Sequence, residues 1–174
     1  LRFASIGQTR AARPDVCDVE AEIRGTTSAF EPLARSGRAT LRLDLQTGVT
    51  APLSRDAFRV ALHNLLDNAV KYGPAGQTVT VRMRRAGENV RIEVEDEGRG
   101  VPESDRESIW APFERGSDDA ARTVGGSGIG LSIVRDVVER HGGRAHVDAA
   151  DSGGARFVLE FPGAAVSTKR KALV

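Results

Sequence analysis

One segment of the chain predicts a long amphipathic helix, and it constrains the fold more than any other feature. Ser54 is a suitable N-cap for this helix, and Gly73-Pro74 ends it. A helix with one apolar face has to bury that face against another layer. The apolar residues that recur at spacings of three and four along it are Phe58, Ala61, Leu62, Leu65, Leu66 and Ala69.

The second layer is predicted by segments in which polar and apolar residues alternate, a pattern typical of half-buried strands. A turn at 86–88 joins two of these segments as a hairpin. Mixed strands and helices with hairpin neighbours predict the α+β class, a two-layer sandwich whose mostly antiparallel sheet is covered on one face by helices. The predicted strands are 16–23, 40–45, 78–83, 90–95, 144–149 and 156–161, and the other predicted helices are 26–36 and one from Ile129 to Gly142-Gly143.

Composition excludes several kinds of function. The chain of 174 residues fits one domain, and its formal net charge of +1 lacks the basic excess of a nucleic-acid-binding protein. Cys17 is the only cysteine, so neither an internal disulfide nor a cysteine-based metal site can form within the chain. No stretch contains the roughly 18 apolar residues that a membrane span needs, so we predict a soluble fragment.

The polar side of the first helix carries an unusual set of side chains. Asn64, Asn68, Lys71 and Tyr72 lie within one stripe beside the leucine face. Asparagine is a poor helix former, and a merely solvated face normally carries Glu, Lys or Arg. Amide oxygens suit Mg²⁺, which binds few protein oxygens together with nucleotide phosphates. A ligand site and a partly solvated helix face remain the two interpretations of this stripe taken alone.

Two glycine-containing segments indicate places where the backbone approaches a ligand. Nine of the 19 glycines lie between Gly98 and Gly143. Asp96-Glu97-Gly98-Arg99-Gly100 follows a predicted strand, so its carboxylate could accept a hydrogen bond from an exocyclic amine such as that of adenine. The segment 125–130 leads directly into a helix, whose free N–H groups attract phosphate. Neither the P-loop pattern nor the dinucleotide-binding pattern is present.

In this order, the asparagine-bearing helix, D-x-G-x-G, IWAPFERG and G-x-G-I-G-L-S-I-V resemble the N, G1, F and G2 boxes of one family. The family is the ATP-binding catalytic domain of bacterial two-component sensor histidine kinases, which have the Bergerat fold. The resemblance covers about 50–162 by motif and 16–51 by the order of the elements. It implies a catalytic domain at 16–162 with an ATP lid at about 99–125, preceded by a stub of a helical dimerisation and phosphoacceptor region at 1–15. The segment 163–174 is expected to be a flexible tail.

The resemblance implies ATP and Mg²⁺ as ligands and assigns a role to each matching residue. Asn68, with Asn64, would bind the metal. Asn64, Lys71 and Arg115 would be the catalytic residues, Arg115 acting from the lid. Asp96 would bind the adenine amino group. The remaining residues implied in nucleotide binding are Tyr72, Gly98, Gly100, Val101, Phe113, Gly126, Ser127, Gly128, Ile129, Gly130 and Leu131.

The resemblance also implies partners and a location. The γ-phosphoryl group of ATP would pass to a histidine on a separate helical domain of the same parent, and from there to a response regulator receiver domain. None of His63, His141 and His146 has the sequence context of that acceptor. We expect a cytoplasmic domain on a membrane-anchored parent.

Two alternatives remain open beside the kinase. Hydrolytic relatives carry a glutamate four residues before the metal-binding asparagine, as general base for water. The chain has Asn64 at that position, which cannot accept a proton and so favours phosphoryl transfer over hydrolysis. A hydrolytic Bergerat-type ATPase is one alternative, and a degenerate nucleotide-binding regulatory module is the other.

Overall fold

The computed structural model describes residues 15–114 and 127–164. The predicted stub up to residue 14, the part of the predicted lid from residue 115 onward and the part of the predicted tail from residue 165 onward lie outside the described residues. The helices are α1 (Val19–Ser36), α2 (Arg55–Tyr72) and α3 (Gly130–Arg140). The strands are β1 (Val16–Asp18), β2 (Thr40–Leu45), β3 (Thr50–Pro52), β4 (Thr78–Ala86), β5 (Asn89–Glu95), β6 (Arg144–Ala149) and β7 (Ala155–Pro162).

The main sheet has five strands in the order β2-β4-β5-β7-β6. β2 runs parallel to β4, with Leu43 beside Val81, and the other three pairings are antiparallel. The sheet is therefore mixed and mostly antiparallel, which confirms the predicted fold class. A separate two-stranded sheet pairs β1 with β3. Two short 3-10 helices, Glu103–Asp105 and Ser108–Trp110, lie between β5 and α3.

The predicted strand 16–23 is wrong beyond residue 18. Asp18 accepts a hydrogen bond from the backbone N–H of Ala21 at 3.1 Å, and this N-cap starts α1 at Val19. Val19, Ile23 and Phe30 then lie on one buried helix face. Over so short a segment, the apolar residues of VCDVEAEI fit both the two-residue period of a strand and the 3.6-residue period of a helix. The N-cap therefore decides between the two. The predicted helix 26–36 is the second part of α1.

Helix α2 begins and ends where its sequence predicts. The Ser54 hydroxyl accepts from the N–H of Ala57, and the N–H of Gly73 bonds to the carbonyl of Ala69. The six residues of its predicted apolar face are all buried, at 1% exposure or less. They pack on the sheet face that carries Val81, Ile92 and Leu159, so the burial of this one helix joins the two layers.

The opposite face of the sheet is polar. Arg82 and Arg156 both bond to the Glu95 carboxylate, at 2.5 and 3.1 Å. Arg91 bridges Glu93 and Glu160. Such partly exposed pairs add little stability each. The cavity described below lies on the other face of the sheet, which the helices cover.

The three histidines have structural neighbours. The His63 ring packs edge-on against Phe30, with ring centroids 5.1 Å apart. His141 Nε2 accepts from the backbone N–H of Ser54 at 3.0 Å, which joins the end of α3 to the start of α2. His146 lies on the polar sheet face, 3.4 Å from Asp148. None of the helices within 15–114 and 127–164 has the length and apolar composition to cross a membrane.

Candidate functional site

A cavity lies between α2, the turn after β5 and the start of α3. Three separate stretches of sequence thus meet at one site, as the predicted boxes require. Twelve of the predicted binding residues line it: Asn64, Asn68, Lys71, Tyr72, Asp96, Gly98, Gly100, Val101, Ser127, Gly128, Gly130 and Leu131.

Asp96 is the most buried polar residue of the cavity lining, with 4% exposure. One carboxylate oxygen, Oδ1, accepts from the N–H groups of Gly98 at 2.9 Å and Ala155 at 3.0 Å. Burial raises the pKa of Asp96, and these two hydrogen bonds oppose that rise. Since the backbone fixes Oδ1, the second oxygen is left for a ligand, and a buried acceptor of this kind suits the amino group of adenine.

Glycine is required beside Asp96 for steric reasons. A Cβ on Gly98 would lie 2.9 Å from Asp96 Oδ1 and 3.0 Å from the carbonyl oxygen of Tyr72. A Cβ on Gly154 would lie 2.0 Å from the carbonyl oxygen of Asp96. The distances of 2.9 Å and 2.0 Å are shorter than real Cβ contacts. Gly98 was predicted from the motif, whereas Gly154, on the loop before β7, was not.

The two asparagines on α2 present oxygen atoms. Asn64 Nδ2 donates to the carbonyl of Val60 at 2.8 Å, which leaves its Oδ1 beside Gly130, where an added Cβ would be 2.8 Å away. The half-buried Asn68 amide has no hydrogen-bond partner within the part of the chain that the structure describes. A free amide oxygen suits a hard cation, so the donor set fits Mg²⁺.

Lys71 is held by a neighbour that the sequence reasoning missed. Its Nζ lies 2.5 Å from Oδ2 of Asp67, one helical turn earlier, and both residues line the cavity. The pair is partly exposed, with side-chain exposures of 40% and 37%. Solvent therefore screens it, and a phosphate could draw the ammonium away from Asp67 at small cost. The role of Lys71 on phosphate stays a prediction.

Four other predicted residues are not placed in the cavity lining. Phe113 has φ 66° and a 75% exposed side chain, and its N–H bonds to the carbonyl of Gly128 at 2.9 Å. Its side chain is not part of the cavity lining, and its role in nucleotide binding stays a prediction. Ile129 is the N-cap of α3, and the adjacent Gly128 and Gly130 line the cavity in its place. Arg115 and Gly126 lie outside the described residues.

Eight further lining residues were not predicted individually, although the five from Arg99 to Glu114 lie within the predicted lid. Ala155 and Phe157 begin β7, where their pattern is that of ordinary core residues. Trp110 packs edge-on against Phe157 and connects the second 3-10 helix to this wall. The lining residues absent from the prediction are Asp67, Arg99, Pro102, Asp105, Ile109, Glu114, Ala155 and Phe157.

Gly128→Ala is expected to weaken the binding of an ATP analogue about tenfold. Gly128 has φ +70°, and a Cβ there would lie 3.0 Å from the Phe113 backbone, so the start of α3 must shift. Gly48→Ala is the matched control, because Gly48 has the same φ of +70° and nothing within 4 Å. Both variants bear the strain of the left-handed conformation, but only the first is expected to lose affinity by calorimetry. Equal affinities would contradict the prediction.

The five-stranded sheet under α2 and α3, with the cavity at the junction of three motifs, defines a Bergerat-type ATP-binding domain. Comparison with known proteins gives the family. The model of the histidine kinase-, DNA gyrase B- and HSP90-like ATPases matches residues 54–165. The chain therefore belongs to this family, and the relatives described next identify it as the ATP-binding catalytic domain of a bacterial sensor histidine kinase.

Relatives and solved structures agree with this assignment. The sensor-like histidine kinase SenX3 of Mycobacterium tuberculosis is 33% identical over 86% of this chain, and the alginate biosynthesis sensor protein KinB of Pseudomonas aeruginosa is 33% identical over 84%. The chain spans only 37% of SenX3 and 24% of KinB. The mycobacterial sensor histidine kinase MprB superposes with a TM-score of 0.74 at 27% identity, covering 86% of this chain and 97% of that one.

Proposed function

We propose that this domain binds ATP with Mg²⁺ and transfers the γ-phosphoryl group to a histidine on a separate helical domain of its parent protein. The observation that carries the proposal is the residue at position 64. An amide there contacts Val60 and adjoins Gly130, where a hydrolytic relative would hold a carboxylate. Because an amide cannot accept a proton from water, the site favours holding ATP for another nucleophile.

The proposed nucleotide position follows from the chemistry of the walls. Asp96 would hold the adenine amino group, and Gly128 and Gly130 at the start of α3 would bring backbone N–H groups to the phosphates. A structural neighbour, ShkA, was solved in complex with AMPPNP and superposes with a TM-score of 0.71 at 25% identity over 88% of this chain. The AMPPNP complex of this neighbour supports the proposal that the present cavity binds a nucleotide.

The proposed metal is supported by the charge of the lining. Its described part contains four carboxylates, Asp67, Asp96, Asp105 and Glu114, but only two cations, Lys71 and Arg99. A polyanion enters such a site more readily when a cation accompanies it. Asn68, with Asn64, would hold Mg²⁺, which supplies neutralisation of phosphate charge. Across 15–114 and 127–164, no cluster of three or more His, Cys, Asp or Glu offers another metal site.

The proposed partners are the phosphoacceptor histidine domain of the same parent and then a response regulator receiver domain. A cytoplasmic location would place the domain where ATP and the regulator occur. The contacts of His63 and His141 support a separate acceptor. His63 is packed on Phe30, and His141 is bonded to Ser54 and Val137. Neither is positioned as a nucleophile for this cavity.

We expect this chain, mixed with the histidine-bearing helical domain of its parent and γ-labelled ATP, to label the helical domain at a phosphohistidine. The label should be acid-labile and base-stable, as a phosphoramidate is. An acceptor with its histidine changed to glutamine is the control and should stay unlabelled. Steady phosphate release by the chain alone at a rate that the acceptor does not alter would instead favour the hydrolytic ATPase.

A further inference from the structure

One buried side chain outside the cavity connects two of the elements that line it, α2 and the turn after β5. Gln77 immediately precedes β4 and is 1% exposed. It is not among the residues that line the cavity. A buried primary amide is costly unless its donors and acceptor are bonded, so the partners of Gln77 show what it holds together.

Those partners come from three elements. Nε2 donates to the carbonyl of Ala69, near the end of α2, at 2.7 Å. Oε1 accepts from the N–H of Glu97, the residue after Asp96, at 3.2 Å. The backbone carbonyl of Gln77 accepts from the N–H of Thr40 at the start of β2, at 2.9 Å. The side chain therefore bridges the last turn of α2 to the turn that follows β5.

The groups around the Gln77 amide are closely packed and hold both ends of this bridge in place. A Cβ on Gly73 would lie 2.0 Å from Gln77 Nε2, so the end of α2 lies directly against the amide. The Glu97 carboxylate accepts from the N–H of Thr78 at 3.2 Å, which ties the turn a second time to the start of β4. Lys71 and Tyr72 lie within three residues of Ala69, and Asp96 adjoins Glu97.

We propose that Gln77 is a positioning residue that sets the spacing between the phosphate wall on α2 and the adenine wall at Asp96. The proposal rests on the proposed binding of ATP across both walls. A ligand that touches two walls at once gains affinity from their fixed separation, whereas a ligand that touches one wall does not. Loss of the bridge should therefore weaken ATP far more than either of its halves.

The test compares Gln77→Met with wild type for three ligands: AMP-PNP with Mg²⁺, adenosine, and inorganic tripolyphosphate. Methionine keeps nearly the same length but makes neither bond. We expect AMP-PNP to bind about tenfold more weakly, and adenosine and tripolyphosphate to change by less than about twofold. Gln46→Met is the matched control, since Gln46 makes one side-chain bond, to the N–H of Arg85 on β4, at an exposed position away from the cavity.

Each outcome decides the proposal. Unchanged AMP-PNP affinity in a folded Gln77→Met protein overturns it. A loss that adenosine or tripolyphosphate shares in full also overturns it, because that result would mean damage to a wall and not a change in the spacing between the walls. If Gln77→Met does not fold, Gln77→Asn replaces it, because the shorter amide cannot reach both Ala69 and Glu97, and the same pattern is expected. If wild type itself binds no AMP-PNP, the proposed function fails, and that result is distinct from a failure of the bridge.

Discussion

Asp96→Asn is expected to weaken AMP-PNP binding about 100-fold or more while the domain stays folded. Asparagine keeps the shape of the side chain, and its oxygen can still accept from Gly98 and Ala155. Its amino group would then face the adenine amino group, so two donors oppose each other in a buried site. Isothermal calorimetry measures the loss, and the affinity for tripolyphosphate should be unaffected.

The same variant should also change the pH dependence of binding. Because burial raises the pKa of Asp96, wild type should lose affinity for adenosine as the pH falls through that raised value. Adenosine is the better probe here, since it has no phosphate that titrates in this range. Asp96→Asn should show little pH dependence. An identical pH profile for both proteins would contradict the role of an ionised Asp96.

Stability should move in the opposite direction to binding. The pKa of Asp96 is higher in the folded than in the unfolded chain, so ionisation of this carboxyl opposes folding at neutral pH, and protonation at lower pH removes the cost. Asp96→Asn is therefore expected to melt at a higher temperature than wild type at pH 7, with a difference that shrinks as the pH falls. Asp44→Asn, at an exposed position near the end of β2, is the control for nucleotide binding and should leave that affinity unchanged.

Asn68→Ala is expected to remove most of the Mg²⁺ dependence of AMP-PNP binding, a loss of about tenfold to 100-fold when magnesium is present. The reason is that Asn68 offers an amide without a hydrogen-bond partner among the described residues, so its removal costs the fold little and the metal much. Affinity measured in EDTA should stay close to that of wild type.

The matched control for this experiment is Asn89→Ala. Asn89 is exposed at the hairpin between β4 and β5, at the opposite end of β5 from Asp96. It should leave binding unchanged with and without magnesium. If Asn68→Ala loses the same affinity in EDTA as in magnesium, Asn68 contacts the nucleotide directly and the metal assignment to this residue is wrong.

Sequence determined most of the elements because their signals are local. The period of the apolar residues in α2, its Ser54 cap and its Gly73 stop all act within one or two turns, and no distant contact is needed to recognise them. β6 has its predicted bounds, and β7 extends the predicted strand by one residue at each end. The site was predictable in outline for the same reason, since each box is a short motif whose residues lie on one turn or one helix face.

Tertiary structure alone decided what depends on residues distant in sequence. The strand β3 exists because β1 pairs with it, and its three residues Thr50–Pro52 have no pattern of their own. Ala155 and Phe157 are core residues by pattern and cavity residues only because β7 lies beside β5.

Gln77 is another residue whose role cannot be predicted from the sequence. In the sequence it is one polar residue between a turn and a strand, where glutamine has no special meaning. Its burial and its bonds to Ala69 and Glu97 arise when β4, α2 and the turn after β5 come together. The sequence by itself thus determined which side chains are candidates for binding adenine, metal and phosphate, because that chemistry belongs to side chains. Only the packing of distant segments set the distances between them, because those distances depend on the whole fold.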